Sequence, residues 1–158
     1  MAECLYWNGL HRLLFSQPEG LPLRYLIVAA LAVVPALPVA AQDFDKGMAA
    51  YRRGDYATAL QEWRPLAAQG SAEAQYRLGV MYAYGIMLEK DYKIARKWYE
   101  KAARQGDAHA AYELGLMYEL GRGVIEDRHQ AAYWFRQGAL AGHGPSQEKF
   151  SRFERYLQ

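Results

Sequence analysis

Thiols are almost missing from this chain. Cys4 is the single cysteine among 158 residues, so no intrachain disulfide can form. Beyond Cys4 there is no thiol at all, which suits an oxidising compartment where a stray thiol is a hazard. An excess of one charge is missing too. The 19 basic and 17 acidic residues leave a net charge of +2, which gives no reason to expect nucleic acid or an acidic surface as partner. Metal-binding patterns are absent: there is no H-x-x-x-H and no cysteine cluster. His109 and Glu113 lie one helical turn apart, but a site needs three or four ligands. His129 and His143 read as solvated or capping residues. No phosphate loop is present, because the glycines Gly121 and Gly123 are those a tight turn needs. No cofactor or metal is therefore expected.

One long apolar run is present. Tyr25–Ala41 is a stretch of 17 residues that follows Arg24 and is broken by Pro35 and Pro38. A basic residue, a short apolar core, a proline break and small exit residues make up a secretory signal. Val39 and Ala41 take the −3 and −1 positions of a cut before Gln42. The alternative is a retained membrane anchor, for which the run falls short of the roughly 20 residues a span requires. The stretch before Arg24 is long for a signal, so translation is expected to start near Leu21 or Leu23; intact mass decides this. The expected location is the periplasm or the exterior. The anchored alternative places the chain at the inner membrane.

The rest of the chain is organised by repetition. Ser71–Gly106 and Asp107–Gly142 superpose without a gap at a period of 36, with thirteen identities. Chance would give about two or three for this composition. Such a period means stacked repeats. In the first unit Gly47 and Ala59 are 12 apart, where Gly79 and Ala95, and Gly115 and Ala131, are 16 apart. The first unit thus carries the same two helices with a shorter turn. The expected division is a signal over 1–41 and a repeat domain over 42–158, with units 43–70, 71–106 and 107–142 and a capping helix 144–157. The fold class is all-α, an α/α solenoid.

Each unit reads as two one-face helices. Ala74, Leu78, Met81, Tyr82 and Gly85 follow one helical period, as do Ala95, Trp98, Tyr99, Ala102 and Ala103. Asp91 and Asp127 are placed as N-caps, and Gly70, Gly106 and Gly142 as C-terminal glycines. Trp98, Trp134, Tyr82 and Tyr118 repeat at core positions. Pro65 lies inside a helix, clashes with the carbonyl of Gln61, and predicts a kink. In the cap, Phe150 and Phe153 replace Leu114 and Met117. Tyr156 and Leu157 extend that apolar face, and Glu148, Lys149, Arg152, Glu154 and Arg155 are expected toward water.

The segments AEAQYRLGVMY with DYKIARKWYEKAARQG, and AHAAYELGLMYELGRGV with EDRHQAAYWF, resemble Sel1-like repeats, relatives of tetratricopeptide repeats with a longer inter-helix turn. The third unit keeps the Gly-x-Gly-Val turn as Gly121, Gly123 and Val124. In the second, Met87 and Leu88 replace the last glycine and the valine, so its turn is expected to differ in detail. The first unit looks more like a tetratricopeptide repeat. The resemblance implies a right-handed solenoid that scaffolds protein–protein contacts, with the first helices lining a concave face.

On that face the non-core positions are Glu73, Val80, Ala83 and Tyr84 in unit two, and His109, Leu116, Glu119 and Leu120 in unit three. Apolar Val80, Leu116 and Leu120 beside charged groups suit an extended peptide or a partner helix. The alternative for Tyr84 and Leu120 is packing against the next unit. The charge run from Glu89 to Lys101 reads as a solvated helix face.

The function expected is an exported, non-enzymatic interaction module. It would bind an unknown protein or peptide, without nucleic acid and without a membrane once the signal is cleaved. Weak self-association through the end faces of a short array is a further expectation. One rival is a β-lactamase-like or cell-wall-precursor hydrolase, because Ser146 to Lys149 reads S-x-x-K, although S-D-N and K-T-G are missing. The other rival is a membrane-tethered adaptor.

Overall fold

The computed structural model describes residues 43–157. The expected signal or anchor at 1–41, and the Tyr156 and Leu157 side chains expected on the cap's apolar face, lie outside the described residues. Seven helices follow in order: α1 (Phe44–Arg52), α2 (Tyr56–Ala68), α3 (Ala72–Tyr84), α4 (Tyr92–Arg104), α5 (Ala108–Leu120), α6 (Arg128–Leu140) and α7 (Gly144–Leu157). Among the described residues there is no strand, and no helix is long and apolar enough to cross a membrane.

The caps fix where the helices begin. Asp91 accepts from the amides of Lys93 and Ile94 at 2.7 and 3.0 Å, and Asp127 from those of His129 and Gln130 at 2.9 and 3.0 Å. Each aspartate satisfies amide donors that the first helical turn leaves without partners. Asp55, Ser71 and Asp107 do the same for α2, α3 and α5. Pro65 does not end α2, which runs on to Ala68.

Packing follows the repeat. Every helix packs on its successor, and α3 also touches α5 directly. The first helices of units two and three are therefore neighbours on one side of the stack, and the surface between them is a groove. At the centre of each unit an aromatic ring lies on a glycine. Trp63 covers Gly47, Tyr99 covers Gly79 and Phe135 covers Gly115. A Cβ on Gly79 or Gly115 would stand 2.5 Å from the ring carbons, so the helices reach this spacing only because the side chain is hydrogen. Trp63, Tyr99 and Phe135 are the largest fully buried side chains. Trp134 is also buried, whereas Trp98, Tyr82 and Tyr118 are half-buried at the core's edge, with the Lys101 ammonium 4.3 Å from the Trp98 ring centre.

The turns of units two and three have the same backbone, contrary to the difference expected. Met87 holds φ at +57° where Gly123 holds +69°. The flanking hydrogen bonds also match: Asp91 N to Tyr82 O and Asp127 N to Tyr118 O are both 3.0 Å. Met87 thus adopts a conformation that disfavours side chains.

The cap packs through Phe153, whose ring centre is 5.6 Å from that of Phe135. Lys149 differs from its expected place in water. It turns back onto unit three, pairs with Glu119 at 2.7 Å and lies 5.7 Å from the Phe135 ring centre.

Candidate functional site

Two stripes run along α3 and α5, and three of their members, Tyr84, Glu113 and Leu116, line the cleft between these helices. On α3 the spacing i, i+4, i+7, i+11 selects Glu73, Arg77, Val80 and Tyr84; on α5 it selects His109, Glu113, Leu116 and Leu120. These are the same four repeat positions, 36 apart. Glu73 and His109 are exposed at one end, and Val80 and Leu116 are half-buried in the middle. Tyr84 and Leu120 end their helices at 65% and 52% exposure. Neither is covered by the next unit.

Ala83 and Glu119 also occupy one repeat position, and it faces the following unit. Ala83 is 8% exposed and belongs to the core cluster beneath α3, α4 and α5, so it offers a partner only the floor of the groove. Glu119 reaches across to Lys149 of the cap and holds the two together.

Between the stripes is a cleft lined by Ala83, Tyr84, Tyr92, Tyr99, Glu113, Leu116, Met117 and Arg122, with an open volume of ≈ 20 Å³. A water molecule needs roughly 10–15 Å³ measured in this way, so the cleft has room for one small polar group. Its polar residues are poorly served by the protein. Tyr99 is 0% exposed, yet its hydroxyl has no hydrogen-bond partner. Burial pushes that hydroxyl far above its usual range, so it remains a protonated donor. Glu113 is half-buried, and among the described residues it makes no hydrogen bond or ion pair. Burial raises its carboxyl above the usual value of 4.5, with Arg122 and His109 opposing the shift. Arg77, at the equivalent position of α3, has a buried Nε without a partner.

Arg77, Glu113 and the hydroxyl of Tyr99 are absent from the expected groove residues. The i, i+4, i+7, i+11 spacing contained the first two, since 77 and 113 complete the stripes that Glu73, Val80 and Tyr84 outline. The Tyr99 hydroxyl left no such trace, because a tyrosine at a core position reads as packing.

Further along, aromatic rings run from Tyr76 through His109 and His143 to Tyr112, with centre distances of 5.7, 4.8 and 5.1 Å. His143 Nδ1 sits 2.8 Å from Ser146 Oγ. Burial holds His143 below its ordinary pKa, with the nearby His109 adding to this. Among the described residues no group of three or more His, Cys, Asp or Glu is placed to hold a metal.

The S-x-x-K residues have structural work instead of an open nucleophile site. Ser146 is 0% exposed and stands at the repeat position of Ala110. Its Oγ fills the place a side chain on Gly138 would take, where unit two has Ala102. Lys149 is committed to Glu119. A buried hydroxyl and an ion-paired ammonium do not meet a substrate as nucleophile and base.

Stacked two-helix units with a shared groove define an α/α repeat solenoid. The comparisons with known proteins specify it further. The family model of the Sel1 repeat matches residues 72–107 and 108–143, so the chain carries two Sel1 repeats. A solved Sel1 repeat protein from Oxalobacter formigenes is 34% identical with a TM-score of 0.65, over 68% of this chain and 44% of that one. A protective antigen present in uropathogenic Escherichia coli strains, displaying an SLR fold, is 31% identical with a TM-score of 0.66, over 71% of this chain and 25% of that one. The chain thus spans less than half of either protein's length. No curated protein matches it.

Proposed function

We propose that this protein is an exported, non-enzymatic interaction module that holds a segment of a partner protein in the groove between α3 and α5. The observation that carries the reading is the pair Tyr84 and Leu120. They are large apolar residues at one repeat position, each more than half exposed, on the helices that line the groove. Exposed apolar side chains that recur in register on a solenoid's inner surface are characteristic of an extended binding face. The half-buried Val80 and Leu116 continue the strip inward. Export is supported by the apolar run after Arg24 and the small residues before Gln42.

Site-specific photo-crosslinking in the producing cell tests the groove. A photoreactive residue at position 84 or 120 should trap one discrete partner band, and the same residue at exposed Arg136 should not. Equal labelling at the three positions would count against the groove. Export has its own measurement. The mature protein should be recovered from the envelope with a mass that begins at Gln42; a cytosolic product that keeps residues 25–41 would refute it.

A further inference from the structure

We propose that the floor of this groove is a specificity subsite for a side-chain carboxamide, an asparagine or glutamine presented by an otherwise apolar, extended segment of the partner protein. The inference rests on the groove reading above and adds the chemistry that the groove selects.

The repeat supplies an internal comparison. Tyr99 and Phe135 hold the same repeat position, and each ring covers a glycine at the same 2.5 Å from the missing Cβ. Phenylalanine therefore does the packing equally well, and the Tyr99 hydroxyl adds nothing to it. Nor does the hydroxyl find a partner in the fold. A buried hydroxyl without a partner is destabilising, so its presence in one unit alone calls for a partner from outside the fold, a water in the free protein and a ligand group in the complex. The third ring of the series shows the contrast: Trp63 donates Nε1 to the carbonyl of Phe44 at 3.3 Å.

The cleft also limits what that partner is. Tyr99 donates and needs an acceptor, and the Glu113 carboxylate accepts and needs a donor. A cationic group satisfies Glu113 but meets Arg122; an anionic group satisfies Arg122 and Tyr99 but meets Glu113. A neutral group with both functions offends neither charge. A primary carboxamide takes the Tyr99 O–H on its oxygen and gives an N–H to Glu113. Its planar head suits a space of ≈ 20 Å³, which is too small for a ring. A side chain is needed because the floor lies below the exposed Tyr84 and Leu120, at the level where a partner's main chain would run. Tyr84 and Arg122 are the exposed members of the lining, so a side chain that enters passes between them.

The test is selection from a phage-displayed library of random dodecapeptides on the immobilised full chain. Enriched sequences are then synthesised and their affinities measured by fluorescence anisotropy. The expected consensus is a glutamine or asparagine between apolar residues. Changing that residue to leucine should weaken binding about tenfold to the native protein, and should make little difference to the near-isosteric Tyr99→Phe variant. Circular dichroism confirms that this variant folds. Glu113→Leu, which removes the acceptor, should also lose the preference. Apolar peptides without a carboxamide, abolished by Leu120→Glu but indifferent to Tyr99→Phe, would overturn the subsite and leave the groove standing. Selection of nothing, or of peptides indifferent to Leu120→Glu, would overturn the groove and the subsite with it.

Discussion

Replacing Met87 with glycine should stabilise the protein, and replacing Gly123 with alanine should destabilise it, although the two positions are equivalent in the repeat. Met87 sits at φ +57°, where an L-residue costs about 1–2 kcal/mol relative to right-handed backbone. Glycine removes that strain but gains about 0.4–1 kcal/mol of freedom in the unfolded chain. Met87 is 61% exposed, so little packing is lost. The net gain is about 0.5–1 kcal/mol, or about 2–4 °C in Tm for a domain of this size. At Gly123 the same strain would be introduced, and the new Cβ would stand 2.7 Å from Tyr92 Cβ and 2.8 Å from its carbonyl carbon. Backbone atoms cannot swing aside, so overpacking adds about 1–3 kcal/mol. The expected loss is about 2–4 kcal/mol, a fall of about 8–16 °C. Thermal melts followed by circular dichroism measure both. Met87→Ala separates strain from side-chain packing, because alanine keeps the Cβ and should change little. If Met87→Gly and Met87→Ala lower Tm alike, the methionine is held by contacts and the strain argument is wrong.

Three further outcomes follow from the core and the cleft. Gly115→Ala gains about 1 kcal/mol of helix propensity but drives a Cβ to 2.5 Å from Phe135 Cδ1 and Cε1. Overpacking of about 1–3 kcal/mol should outweigh the gain in most of that range, and a urea midpoint above the native one would contradict it. Tyr99→Phe should raise stability by about 1 kcal/mol, since it deletes a buried donor without a partner; a fall in the urea midpoint would mean that the hydroxyl is satisfied within the fold. Glu113→Gln carries a pH signature. The folded carboxyl titrates above 4.5, so the native fold holds a proton that the unfolded chain releases. Native stability from this group therefore falls as pH rises from 4.5 through the folded value, and the reduction is complete above it. The variant should be the more stable protein at pH 7, with its advantage fading as pH drops toward 4.5. An advantage independent of pH would rule out ionisation as its cause.

The repeat period made the scaffold legible because packing positions must be similar in every unit. Gly79 and Gly115 had to be small for Tyr99 and Phe135, and Asp91 and Asp127 had to cap, so these residues stand out as identities. The turn of unit two was harder to read, since Met87 breaks the glycine pattern while its backbone keeps the glycine conformation. The cap was readable in its phenylalanines but not in Lys149, because a lysine on a helix face does not reveal that Glu119 waits on the preceding unit.

The groove was half readable for a related reason. Its apolar members could be picked out as large residues off the core face, but Arg77 and Glu113 have opposite charges at one repeat position and look like ordinary surface variation. Only the spatial pairing of α3 with α5 relates them, and Glu113 shares its cleft with a hydroxyl that Phe135 shows to be unnecessary for packing. In a repeat protein, identity between units marks what holds the stack together. A difference is informative when one unit bears an energetic penalty that its neighbour avoids. Tyr99 against Phe135 is such a difference, and it falls in the same cleft as Glu113. The side chains best placed to select a partner are therefore those that the fold itself does not need.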